Sequence, residues 1–175
     1  KWRAWLEIMA LLDAQWQDGM VPHIVFRHND PDYFPGPNVW STETEPPTSG
    51  HSQPPVLASI IWQLVQQGTE YDARKARELF PKLMAYHRWF CAARDPQQTG
   101  VIGIIHPWES GRDNCPDWDI GMNNIVVPEN LESYTRRDTT HIDSEQRPTQ
   151  EQYDRFITIV KFGRECGWDQ QQIHA

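Results

Sequence analysis

The run "HPWESGRDNCPDWD", His106 to Asp119, places four carboxylates, two tryptophans and one arginine within fourteen residues. These residue types suit sugar chemistry. Indole rings stack on the flat faces of sugars, while carboxylates hydrogen-bond hydroxyls and protonate glycosidic oxygens. An indole beside a carboxyl also excludes water and disfavours the charged form, raising the pKa toward what a general acid needs near neutrality. Glu109, Asp113, Asp117 and Asp119 are the candidate acids, and spacing alone does not choose among them. Helix capping or pairing with Arg112 accounts for any single one of them equally well.

A second stretch, "DYFPGPNVW", holds Tyr33, Phe34 and Trp40 around a Pro-Gly-Pro turn. Rigid aromatics of this kind stack on a ring with little ordering entropy to lose. The competing reading is packing of the loop over the core. "HNDPD", His28 to Asp32, has metal-ligating types at close spacing, but no second cluster supports a metal there. "DWD", Asp117 to Asp119, resembles the acid pairs of metal-dependent glycosyltransferases, which are α/β proteins. Neither a metal nor a cofactor is expected. His23, His51 and His106 read as structural or hydrogen-bonding residues. The chain has no nucleophile elbow, phosphate-binding loop or dinucleotide fingerprint.

The elements that must position these residues are helical. Apolar residues at Trp2, Trp5, Met9, Leu12 and Trp16 recur at helical spacing and predict a first helix from Trp2 to Gln17. An aromatic, Pro/Gly-rich loop follows from Asp18 to Gly50, a length that points to function. Pro54 and Pro55 suit a helix start. Val56, Leu57, Ile60, Ile61, Leu64 and Val65 then form an apolar stripe, with Gly68 as the stop. A third helical region spans Asp72 to Arg94, with a break or kink expected at Pro81. Leu79, Phe80, Leu83, Met84, His87, Phe90 and Cys91 are its expected buried side. "VIGII", Val101 to Ile105, reads as a short β-rich run, and a short helix is expected near Met122–Val126. Thr149 and Gln152 form a capping box for a final long helix, with Tyr153, Phe156, Ile157 and Val160 inward. The closing "GWDQQQIHA" reads as the first turn of another helix. Without strand–helix alternation a parallel sheet is excluded, and the class is all-α.

Bulk properties narrow the function. A net charge of −8 over 175 residues argues against a nucleic-acid partner. Mean hydropathy is −0.70. No apolar run approaches the roughly 20 residues of a membrane-spanning helix. Three widely spaced cysteines, Cys91, Cys115 and Cys166, suggest reduced, partly buried thiols rather than a disulfide framework. The cytoplasm is favoured over secretion, and no oligomeric state is implied. Both ends of the chain read as cut within a larger domain.

Four segments in this order, "MVPHIVF", "DYFPGP", "TSGHSQPPVLA" and "HPWESGRDN", resemble the mannosylglycerate hydrolase-like enzymes of glycoside hydrolase family 63. "ESGRDN" is also similar to the "ESGWD" signature of trehalases, and "RRDTTHIDSEQRPTQEQYDRF" resembles the family's following segment. The resemblance covers nearly the whole chain. It implies an (α/α)6 toroid, of which residues 1–175 supply about half, with long aromatic active-site loops. It implies an inverting α-glycosidase acting on a small carbohydrate, an α-linked glucoside or mannoside such as a glycerate conjugate or an oligosaccharide end.

On the family's motif, Asp113 is the general acid. Trp108 and Gly111 line the sugar pocket, and Gln53 matches a substrate-binding glutamine. Tyr33 and Trp40 are placed near the pocket rim, and Arg147 matches an arginine that holds an acidic aglycone. Glu109, Asp117 and Asp119 are expected to orient the loop or bind hydroxyls. The family's general base, a glutamate, belongs to a C-terminal part not matched here, and Glu129, Glu132 and Glu151 are not given that role. The alternative is a non-catalytic sugar-binding or scaffold fragment, distinguished by whether the whole protein carries that glutamate.

Overall fold

The computed structural model describes residues 1–28, 30–140 and 142–174, and among these there is no β-strand, only one isolated bridge between Val25 and Thr48. Seven α-helices are described: α1 Trp2–Asp13, α2 Pro37–Trp40, α3 Leu57–Gln66, α4 Glu70–Arg94, α5 Asp119–Met122, α6 Gln150–Glu165 and α7 Gln170–Ile173. None is long and apolar enough to cross a membrane.

The first half of the chain packs α1, α3 and α4 around Trp5, Leu12, Ile61, Leu83, Tyr86 and Trp89. The apolar stripe of α1 supplies Trp5, Ile8 and Leu12, each repeating on one face. Asp72 closes the start of α4 by accepting the Thr69 backbone N–H at 2.7 Å, and the Trp5 indole N–H donates to the same carboxylate at 2.7 Å. One short side chain thus caps α4 and docks α1 on it.

The second half is organised by α6. Its capping box forms, with the Gln152 N–H donating to Thr149 Oγ1 at 3.2 Å and the Thr149 N–H to Gln152 Oε1 at 2.8 Å. Tyr153, Phe156, Ile157 and Val160 are buried, as their spacing predicts. Trp168, just beyond α6, lies so close to Gly50 and Gly163 that a Cβ on either glycine would sit 2.0 Å or 2.3 Å from the indole. Those glycines let the ring close the gap between the loop and the helix.

Several local expectations are corrected. Pro81 does not break the chain into two helices, and α4 runs unbroken for 25 residues. Pro81 and Arg77 both lie on the exposed face, where water can satisfy the carbonyl that proline leaves unpaired. Leu83 and Phe90 are buried as expected, but Phe80 is 58% exposed and Cys91 is also exposed, because the rest of the buried stripe of α4 runs through Tyr86, Trp89 and Ala93. Of the α3 stripe only Ile61 is fully buried, and Val56 and Ile60 face outward, since just one side of α3 meets α4. Residues 101–105 form no strand. They find no partner strand and hang from the end of α4 by the Gly103 N–H to Arg94 carbonyl bond, 2.8 Å. The short helix near residue 122 starts earlier, at Asp119, and α1 stops at Asp13.

Candidate active site

Two 3-10 turns, Pro107–Ser110 and Pro116–Trp118, flank the segment that presents Asp113. The first is capped by His106, whose Nδ1 accepts the Trp108 N–H at 3.1 Å. It ends at Gly111 with φ +67°, a left-handed turn that favours glycine. The reversal at Gly111 sends the chain back past Gln53, whose Oε1 would lie 3.7 Å from a Cβ at that position.

Beyond this turn lies a cavity of about 530 Å³, and its lining includes all seven residues singled out from the sequence: Tyr33, Trp40, Gln53, Trp108, Gly111, Asp113 and Arg147. They come from four separate parts of the chain. Tyr33 is 44% exposed and stands at the mouth. Trp40 is not a rim residue. It is fully buried, because α2 turns its indole inward against His51, Trp108 and Trp168 and its N–H donates to the Pro35 carbonyl at 3.1 Å. It forms the floor on which Trp108 rests. Gln53 Nε2 donates to the Trp108 carbonyl at 3.1 Å, which joins the Gln53 segment to the Asp113 turn.

Asp113 is half-exposed, and among the described residues no hydrogen-bond donor to its carboxylate is found. Glu109, four residues earlier, is the opposite. It is fully buried and accepts two hydrogen bonds from Arg94, at 2.7 and 3.0 Å. Asp117 pairs with Arg112 at 3.2 Å on the surface, and Asp119 accepts weakly from Gln152 at 3.5 Å. Arg147 borders the cavity with its Nε buried and without a partner among the described residues. Asn29 of "HNDPD" and His141 of the later segment lie outside the described residues.

His23, expected to be a structural or hydrogen-bonding residue, also lines the cavity beside Gln53, 2.9 Å away, and contacts His51 at 3.2 Å. His51 in turn stacks on His106 with ring centroids 5.2 Å apart. Burial lowers the pKa of His23, opposed by the Asp113 and Glu109 carboxylates. Burial also holds His51 well below its usual value, reinforced by His106 and His23. Burial pushes His106 down to about 3, even though its Nε2 meets the Phe156 carbonyl at 3.1 Å. The three rings form a neutral column under the cavity. The signal for His23 was its place in "MVPHIVF", ahead of the loop, but a lone histidine carries little pattern to read.

Comparisons with known proteins show the family and the fold. The model of the mannosylglycerate hydrolase MGH1-like glycoside hydrolase domain matches residues 1–175. The chain belongs to that family. It is 48% identical over 177 residues to a mannosylglycerate hydrolase of Thermus thermophilus, covering 98% of this chain and 42% of the relative. It is 38% identical to a glucosylglycerate hydrolase of Mycolicibacterium hassiacum, covering 98% and 42% respectively. The crystal structure of the family 63 mannosylglycerate hydrolase from Thermus thermophilus in complex with Tris superimposes with a TM-score of 0.92 at 46% identity, over 98% of this chain and 42% of that one. The same enzyme with Tris and D-glycerate gives a TM-score of 0.91 at 46% identity, over 98% and 41%. The helices are therefore part of a helical toroid, and the chain spans 36–42% of the length of the curated relatives it matches.

Proposed function

We propose that the whole protein containing this chain is an inverting α-glycosidase that hydrolyses an α-mannoside or α-glucoside of glycerate. The observation that carries this reading is Asp113, a carboxylate free of protein partners among the described residues, facing an aromatic-walled cavity that also holds Gln53 and Arg147. In this reading Asp113, protonated, gives its proton to the leaving oxygen. The sugar lies against Trp108 and Tyr33, with Gln53 and Gly111 beside its hydroxyls. Arg147 holds the glycerate carboxylate, and its buried Nε, without a partner among the described residues, supports an anion there. The names of the relatives support a glycerate conjugate as substrate.

The water on the opposite face is activated by a carboxylate outside these 175 residues. An inverting pair is separated by roughly 6.5–9.5 Å, which leaves room for that water. Residues 1–175 then form one part of a single catalytic domain and supply its acid side.

Proton NMR of the full-length protein with α-mannosylglycerate and α-glucosylglycerate tests the reading. The expected first product is the β-anomer of the free sugar. Release of the α-anomer means a retaining mechanism. Binding of both compounds without cleavage means a sugar-binding protein instead.

A further inference from the structure

We propose that Glu109 is a positioning residue for the acid. Its buried carboxylate fixes the Asp113 turn to the Gln53 segment, so its charge matters to turnover and not only to folding. The inference rests on the reading of Asp113 as general acid. Four donors converge on Glu109. Arg94, at the end of α4, gives Nη2 to Oε1 at 2.7 Å and Nε to Oε2 at 3.0 Å. The Ser52 backbone N–H donates to Oε1 at 3.1 Å and the Ile105 N–H to Oε2 at 3.1 Å. Both charged side chains have no exposed surface.

Of the segments tied together by this one carboxylate, two line the cavity, the Gln53 segment and the Asp113 turn, and the end of α4 anchors both from behind. Ser52 is flanked by His51, which stacks on His106, and by Gln53, which lines the cavity. Ile105 leads into the turn, and Glu109 lies within it, two residues before the Gly111 reversal and four before Asp113. Arg94 is anchored in turn by α7, donating from Nη1 to Gln170 Oε1. Its guanidinium lies 4.6 Å over the Trp89 ring. The fork of an arginine matches both carboxylate oxygens and fixes their plane, which a lysine cannot do. Among the described residues Asp113 has no such fixing of its own, so its position follows from Glu109.

Glycosyl fluorides separate this role from a merely structural one, because fluoride leaves without being protonated. In the full-length protein, Glu109→Gln keeps the size of the side chain but loses its charge and turns an amide toward the same donors. Its kcat on an α-glycosylglycerate, relative to its kcat on the matching α-glycosyl fluoride, is expected to fall by about 10²-fold, the scale of a small misplacement of a catalytic group. Arg94→Lys is expected to shift the ratio in the same direction by less, and it carries the test if Glu109→Gln does not fold. A ratio equal to that of the wild type in folded variants would overturn the proposal. Hydrogen exchange gives a readout independent of turnover. Residues 50–53 and 105–113 are expected to lose protection in Glu109→Gln while α1 and the middle of α6 keep theirs. A uniform loss, or none, would count against positioning. If the wild type cleaves neither substrate, the glycosidase reading fails by itself, and the exchange pattern alone decides whether Glu109 holds these segments.

Discussion

Glu109 and Asp113 lie four residues apart in the same turn, yet their surroundings are opposite. Glu109 has four donors and no exposed surface. Asp113 is half-exposed at the cavity and meets no donor among the described residues. A buried carboxylate without partners costs several kcal/mol, so Glu109 is viable only because Arg94 and two backbone amides converge on it. A carboxylate already engaged by four donors could not pass a proton to a substrate. In the proposed reading, geometry falls to the first acid of the motif and chemistry to the second.

The strongest way to break this comparison is to remove one member of the buried pair. Glu109→Ala or Arg94→Ala in the full-length protein leaves an uncompensated buried charge and should destabilise it by about 3–5 kcal/mol in urea titrations. Asp113→Ala should shift the same curve by only about 0.5 kcal/mol. Equal effects at the two positions would remove the distinction.

The histidine column sharpens the comparison through pH. Burial lowers the folded-state pKa of His23, His51 and His106, so the unfolded chain binds the extra protons. The stability these neutral rings provide is complete above their unfolded pKa of about 6.5 and declines below it, by roughly 1.4 kcal/mol per pH unit for each ring that stays neutral. Denaturant melts at pH 7, 6 and 5 should show this decline, which continues toward the His106 value of about 3. In His51→Gln the slope should fall by about one proton, and an unchanged slope would mean that the column does not titrate as described.

Smaller effects are expected around the turn. Gly111→Ala adds no close contact but must adopt φ +67°, so a cost of about 1–2 kcal/mol is expected, read as a lower melting temperature. Smallest is Arg112→Ala. It removes an exposed pair with Asp117, and the loss should be below about 1 kcal/mol and vanish in high salt.

Much of the helical frame was legible because it is local. The Thr149–Gln152 capping box and the Tyr153, Phe156, Ile157, Val160 stripe each lie within a few turns of one helix. The cavity residues were legible in a different way, through the order of short motifs. Composition alone left four acids equivalent. What the sequence could not show was pairing across distance. Glu109 meets Arg94 fifteen residues away, outside any helical spacing, whereas the expected partner, Arg112, belongs to Asp117. The resemblance placed Trp40 near the rim, while its loop sequence left stacking on a ring and packing over the core both open. Its burial depends on Trp168, 128 residues later, donating its indole N–H to the Trp40 carbonyl. The exposure of Phe80 shows the same limit, since helical spacing gives a face but not which neighbour covers it.

The most direct test of the division between the two acids is Asp113→Asn in the full-length protein, with turnover of α-mannosylglycerate and thermal melting measured on the same sample. Turnover should fall by about 10²–10⁴-fold, the usual contribution of a general acid, while the melting temperature stays within about 2 °C of the wild type. Retained turnover, or a loss that only follows a collapse of the melting temperature, would contradict the assignment of chemistry to Asp113.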